Sequence, residues 1–175
     1  MAKARVYFTR EITPQAMDRL YDALGIRLSG KTAVKISTGE PGGHNFLQPA
    51  LIGPLTERLH GTIVECNTAY EGRRNTTQEH WKAIQEHGFL DIAPCDIMDE
   101  TGELALPVTN GMHLQENFVG AHLRNYDSML VLSHFKGHMM GGFGGALKNI
   151  SIGIAYGRPI TTLFWSAWPT RPNPL

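Results

Sequence analysis

Cysteine is nearly missing from the chain: Cys66 and Cys95 are the only two among 175 residues. They form neither a disulfide framework nor a CxxC pair, so two reduced thiols are expected. Excess charge is missing as well, since 16 Lys and Arg offset 16 Asp and Glu to give a formal net charge of zero. No basic field is present to hold nucleic acid. A membrane-crossing helix takes about 20 predominantly apolar residues, and the longest candidate, Ile150 to Ala155, stops far short, so no membrane partner is expected. Neither the Walker A spacing nor GxGxxG occurs, which removes the usual signatures of nucleotide binding. Met1-Ala-Lys-Ala-Arg leads straight into Val6-Tyr-Phe8 without the apolar stretch of a signal peptide, an arrangement that points to the cytoplasm.

What remains is an ordinary globular composition, 42% hydrophobic and 18% charged, long enough for one domain that buries about 70% of its unfolded surface. Val6-Tyr-Phe8 reads as a short strand. Thr13-Pro14 then offers a capping side chain and a first-turn proline, and Ala16, Met17, Leu20, Tyr21 and Leu24 fall at helical spacing before Gly25. Thr32 to Ser37 and Gly61 to Glu65 read as strands. Between them Leu51, Ile52, Leu55 and Leu59 mark a helix that Pro54 should delay or kink. Thr76 with Glu79 fits a capping box, opening a helix that stops near Gly88.

These strand–loop–helix units predict an α/β fold: a single domain over 1–156 with a mainly parallel sheet flanked by helices. A small hairpin excursion is expected around residues 92–117, and a short helix over Phe118 to Tyr126. Residues 157–175 shift to proline and tryptophan, which reads as an irregular tail, truncated or rearranged, whose Phe164, Trp165 and Trp168 would cover the core or join an oligomer partner.

The chemistry gathers where strands end. Met129 to Leu132 reads as a strand buried on both faces, and it empties into a glycine-rich stretch with His134, Lys136, His138, Gly144, Gly145, Lys148 and Asn149. Two earlier strand ends carry Lys35 with Glu40, and Asn67 with Thr68, Arg73 and Arg74. In parallel sheets ligands sit at the carboxyl ends of strands, and lysines beside glycine-rich backbone suit phosphate or carboxylate groups. A small anionic ligand is therefore the leading expectation, with Lys35, Glu40, Asn67, Thr68, Arg73, Lys136, Gly144, Gly145, Lys148 and Asn149 as its binding residues. The four-residue spacing of His134 and His138 supports a metal site as an alternative, with Glu40, His44 or His80 as a third ligand. Glu40 or Glu65 would act as a base if burial raised its pKa. Cys66 follows an apolar strand and reads as a buried, inert thiol. A non-catalytic interaction domain is the third alternative.

Lys35 to Gly43, Asn67 to Arg73, His87-Gly-Phe89, Leu132-Ser-His-Phe-Lys-Gly-His138 and Gly142-Phe-Gly-Gly-Ala-Leu-Lys-Asn149 resemble the family called domain of unknown function 362. The likeness runs in order over roughly residues 4 to 155. It implies no settled activity, although many members carry a ferredoxin-like segment whose cysteines hold iron–sulfur clusters. That segment is absent here, so no iron–sulfur cluster is expected in this chain. Glu65-Cys66 also stands where the family usually has an aspartate and a small polar residue, and the family pattern is expected to break off after Ile154.

Overall fold

The computed structural model describes residues 3–112, 114–139 and 141–156. The tail expectations for 157–175 lie outside them. Helix α1 (Pro14–Leu24) starts where Thr13 accepts a hydrogen bond from the Ala16 amide and stops at Gly25, which takes the left-handed conformation that residues with a Cβ avoid. Two strand–loop–helix units and a third strand follow: β1 (Thr32–Lys35), α2 (Pro49–Arg58), β2 (Thr62–Glu65), α3 (Thr77–Glu86) and β3 (Cys95–Ile97). Helix α2 does not begin late; Pro54 lies inside it, where the missing N–H costs one intrahelical bond without ending the helix. Thr76 caps α3 through the Glu79 amide, as the capping box predicts.

Beyond β3 the chain forms the hairpin β4 (Glu103–Pro107) and β5 (Glu116–Gly120), which pair antiparallel. The expected excursion is real, but Cys95 to Ile97 belongs to the main sheet. The predicted helix over Phe118 to Tyr126 is instead the end of β5 followed by a 3₁₀ turn over Ala121–Asn125. The ladder to β4 claims the backbone groups a helix would use. Strand β6 (Ser128–Val131) then returns beside β1.

The main sheet is parallel, in the order β3-β2-β1-β6. Strands β1 and β2 are its centre, and their short β-rich runs are almost wholly buried. Strand β6 is an edge, half-buried along its length rather than buried on both faces. Val6 and Phe8 are 84% and 82% exposed and form no strand, because the segment meets no ladder partner among the described residues. Val34, Ile36, Ile63 and Ile97 pack with Ile52, Ile84 and Phe89 on one face of the sheet. Ala33, Val64, Cys66 and Met98 face the other side, beneath Leu123, Tyr126, Met129 and Ile154. The alternation of Ala33 with Val34, and of Ile63 with Val64, is the two-residue period of a strand covered on both faces.

The strand order has a functional consequence. The chain steps outward from β1 to β2 to β3, then crosses back so that β6 flanks β1 on its other side. Connections leaving β1 and β6 therefore diverge, and such a switch point opens a crevice at the carboxyl ends of those strands. After β6 the glycine-rich stretch forms a small hairpin, β7 (Lys136–His138) with β8 (Gly142–Gly144), and then the short helix α4 (Ala146–Ser151).

At Gly120 the backbone passes so close to Met98 that an added Cβ would lie 2.7 Å from its carbonyl carbon and 2.8 Å from its Cβ. Gly120→Ala is therefore expected to cost about 1–3 kcal/mol by overpacking. A Cβ at Gly137 meets nothing within 4 Å, so Gly137→Ala should stay within about 0.5 kcal/mol of the parent. Urea denaturation of the two variants checks the contrast.

Candidate functional site

Lys35 ends β1 at the switch point, and its side chain is fully buried. A buried ammonium persists only if its donors are satisfied, and all three are. Nζ donates to the Ile36 carbonyl at 2.5 Å, to Glu65 Oε2 at 2.9 Å and to Asn149 Oδ1 at 2.8 Å. Asn149, from α4, in turn donates to Ser133 Oγ at 2.9 Å and to the Leu132 carbonyl at 3.3 Å, so it bridges the ends of β1 and β6. Gly153 is what allows the close fit: a Cβ there would lie 3.1 Å from Lys35 Nζ and 2.3 Å from the Asn149 carbonyl oxygen.

Glu65, at the end of β2, is the second member. Its Oε1 accepts from the Thr38 amide at 2.7 Å, the Thr38 hydroxyl at 3.1 Å and Arg74 Nη1 at 3.1 Å. Burial alone would raise its pKa, but the charges of Lys35 and Arg74 and the Thr38 amide outweigh it and hold the carboxyl down to about 2. Glu65 is thus a fixed anion and not the base expected from burial. Arg74 reaches on to Glu40 and, at 3.2 Å, to Tyr70 OH, which itself donates to Glu40 Oε1 at 2.7 Å. Glu40 is likewise kept below the usual carboxylate range: burial works upward, and the bonds from Arg74 and Tyr70 prevail.

Around this clamp the charge is not balanced. Lys148, on α4, is half-buried and has no hydrogen-bond or ion-pair partner among the described residues. Burial first, then the charges of Lys136, Arg74 and Lys35, push its pKa below that of an ordinary lysine. His138 is lowered too, by burial and by Lys148 and Lys136, and its Nδ1 accepts from the Gly141 amide at 3.1 Å. Four cations, Lys35, Arg74, Lys136 and Lys148, therefore face two carboxylates, Glu40 and Glu65.

A polar cavity of about 330 Å³ lies at the next strand ends, lined by Asn67, Thr68, Asn75, Thr76, Thr77, Asp99 and Tyr156. Asp99 accepts from the Asn67 amide at 2.9 Å. Its burial raises its pKa, with the Asn67 bonds opposing and the Glu65 charge adding, which makes it the carboxyl here best suited to exchange a proton. Fully buried His80 lies 3.2 Å from Asn67 Oδ1 through Nδ1, and its Nε2 has no partner among the described residues. Burial, with the charges of Arg74 and Lys35, lowers its pKa to about 4, so it is neutral near pH 7.

Of the residues singled out in the sequence, Lys35, Glu40 and Asn149 meet in one network, Lys136 and Lys148 flank it, and Asn67 and Thr68 line the neighbouring cavity. Gly144, the last residue of β8, and Gly145 after it are buried, and a Cβ at Gly145 would strike the Phe143 ring at 2.7 Å. Arg73 lies apart, exposed and paired with Glu86 and Glu79; its neighbour Arg74 turns inward instead. His134 is exposed. Among the described residues, the group of His, Cys, Asp and Glu side chains that converges closely enough to hold a metal is elsewhere, at Asp96, Glu100 and His122. Cys66 is buried, and its thiol is pushed up by burial and by Asp99, as an inert thiol requires. Thr38, Tyr70, Asp99, Ser133 and Gly153 were not legible as site residues. Only Asp99 carried a local signal, as a turn former after an apolar run.

The family model for the domain of unknown function (DUF362) matches residues 32–163, most of the chain, and the chain belongs to this family. The match extends past residue 155, so the family pattern does not break off after Ile154. Comparisons with curated proteins and with solved structures give no match. No helix among the described residues is long and apolar enough to cross a membrane.

The clamp makes a pH-dependent prediction. Glu65 has an ordinary value of 4.5 and a folded value near 2, so the stability it contributes is fully present above about pH 4.5 and is lost as pH falls toward 2. Glu65→Gln should cost about 3–5 kcal/mol at pH 7, because Lys35 and Arg74 lose their buried counter-charge. Urea denaturation from pH 7 to pH 3 should also show a shallower acid decline for the variant than for the parent.

Proposed function

We propose that this DUF362 chain binds a small anionic ligand, a phosphate or carboxylate compound, in the crevice at the carboxyl ends of β1 and β6. The observation that carries the reading is Lys148, a half-buried ammonium without a carboxylate partner among the described residues, its charge disfavoured by three further cations. An anion bound between Lys148 and Lys136 would remove that repulsion, and His138 on β7 is placed to add a donor. Lys35 has all three donors taken, and Arg74 is paired with Glu65 and Glu40 through both terminal nitrogens; their part is to hold the crevice in shape and to supply a positive field. The adjoining cavity with Asn67, Thr68 and Asp99 would take the uncharged, hydroxyl-bearing part of the same ligand.

Thermal unfolding and calorimetry with phosphate, sulfate, pyrophosphate and a series of di- and tricarboxylates test this. A ligand present at 100 times its Kd should stabilise the fold by about 2.7 kcal/mol. Lys148→Met should weaken binding at least tenfold while stabilising the ligand-free protein, since it removes an unfavourable charge. Binding should also fall as pH rises through the lowered pKa of Lys148. Absence of binding across the whole panel, with folding intact, would refute the proposal.

A further inference from the structure

Two strands over from β1, three side chains converge at edge strand β3. Asp96 comes from β3, Glu100 from the turn after it, and His122 from the 3₁₀ turn after β5. One ligand atom from each lies within 4.8 Å of the other two. One atom of each is held by a neighbour: Tyr126 OH donates to Asp96 Oδ2 at 2.7 Å, Trp81 Nε1 donates to Glu100 Oε2 at 3.1 Å, and His122 Nε2 lies 2.8 Å from Thr101 Oγ1. Each side chain has a second ligand atom. His122 Nδ1 lies 2.7 Å from Asp96 Oδ1, and Glu100 Oε1 has no hydrogen-bond partner among the described residues.

Neither carboxylate has a Lys or Arg ion pair among the described residues; the imidazole is the sole cationic group available. Two carboxylates gathered in this way repel unless a cation sits between them. Outer donors that fix each ligand's remaining atom are the arrangement that orients side chains around a metal ion. Three separate residues, Tyr126, Trp81 and Thr101, would have to be placed by accident to produce it otherwise.

We propose that Asp96, Glu100 and His122 bind one divalent first-row transition ion. One imidazole nitrogen and two carboxylate oxygens suit zinc or manganese better than a thiolate-seeking or purely oxygen-seeking ion. His122 is the neutral tautomer when bound: Nδ1 coordinates, and Nε2–H donates to Thr101 Oγ1. A fourth position stays open to water, because the cluster is only partly buried. The ion ties the edge of the main sheet to the turn that follows the β4–β5 hairpin.

The test uses the full chain, purified without an affinity tag and freed of metal by chelator, then titrated with zinc chloride by calorimetry and with cobalt chloride as an absorption probe. One equivalent should bind, with visible cobalt bands, and His122→Ala and Glu100→Gln should each weaken binding by about tenfold or more. Glu100 is exposed, so its variant probes the site without threatening the fold. The pair His134→Ala with His138→Ala should leave the equivalent in place. No uptake by the folded protein, undiminished uptake by folded His122→Ala and Glu100→Gln proteins, or loss of uptake in the His134/His138 pair would each overturn the assignment.

Discussion

The ion cluster at the carboxyl end of β1 is the constraint on which the remaining architecture depends. Lys35 is buried without exposure, and its ammonium is stable there only while Ile36, Glu65 and Asn149 each supply an oxygen. Those oxygens come from the residue just after β1, from β2 and from α4, so the clamp ties the ends of the central strands together and docks α4 at once. Glu65 then requires Arg74 and the Thr38 amide, and Arg74 requires Glu40. Each member removes a debt of solvation that another member would otherwise carry.

Such a cluster is poor evidence for stability, because well-packed apolar residues of the same volume often serve as well or better. What it supplies is position. Strand-end loops that otherwise tolerate movement are held at defined places around the switch point: Thr38 to Glu40 after β1, Tyr70 and Arg74 after β2, Ser133 after β6. The cost of desolvating two cations and a carboxylate is understandable if the loops must keep an electropositive crevice open, and difficult to understand as a means of building a core.

The elements that could be read from sequence are those with local causes. Thr13 and Gly25 bracket α1 because a hydroxyl and a left-handed glycine act within one turn, and Thr76 with Glu79 does the same for α3. The β1-α2-β2-α3 order followed from alternating elements, whereas β3 did not, because Cys95 to Ile97 is short and lies among the turn formers of the excursion. Non-local facts were hidden. Met129 to Leu132 is as apolar as a central strand, yet its place at the sheet edge is decided by the crossover after β5. Phe118 to Tyr126 has helical spacing, but over Phe118 to Gly120 a ladder partner at Glu103 to Ala105 decides for strand. Arg73 and Arg74 are adjacent and chemically alike; only the path of the loop turns one toward Glu65 and the other toward Glu86.

The two lysines of the candidate site show why burial and function separate here. Lys35 looks like the obvious ligand contact, since it lies at a strand end beneath a glycine-rich stretch. Its three donors are all used, however, and a ligand could reach it only by breaking the bond to Asn149 and loosening the join between β1 and β6. Lys148 stands one layer further out with its donors free among the described residues, and the charge of Lys35 is part of what makes its own charge unfavourable. The buried lysine thereby acts on the half-buried one without touching it, leaving a positive charge at the crevice that no carboxylate among the described residues offsets. The acidic cluster at β3 has the complementary charge at the opposite edge, so a formal net charge of zero conceals two fields of opposite sign on one sheet.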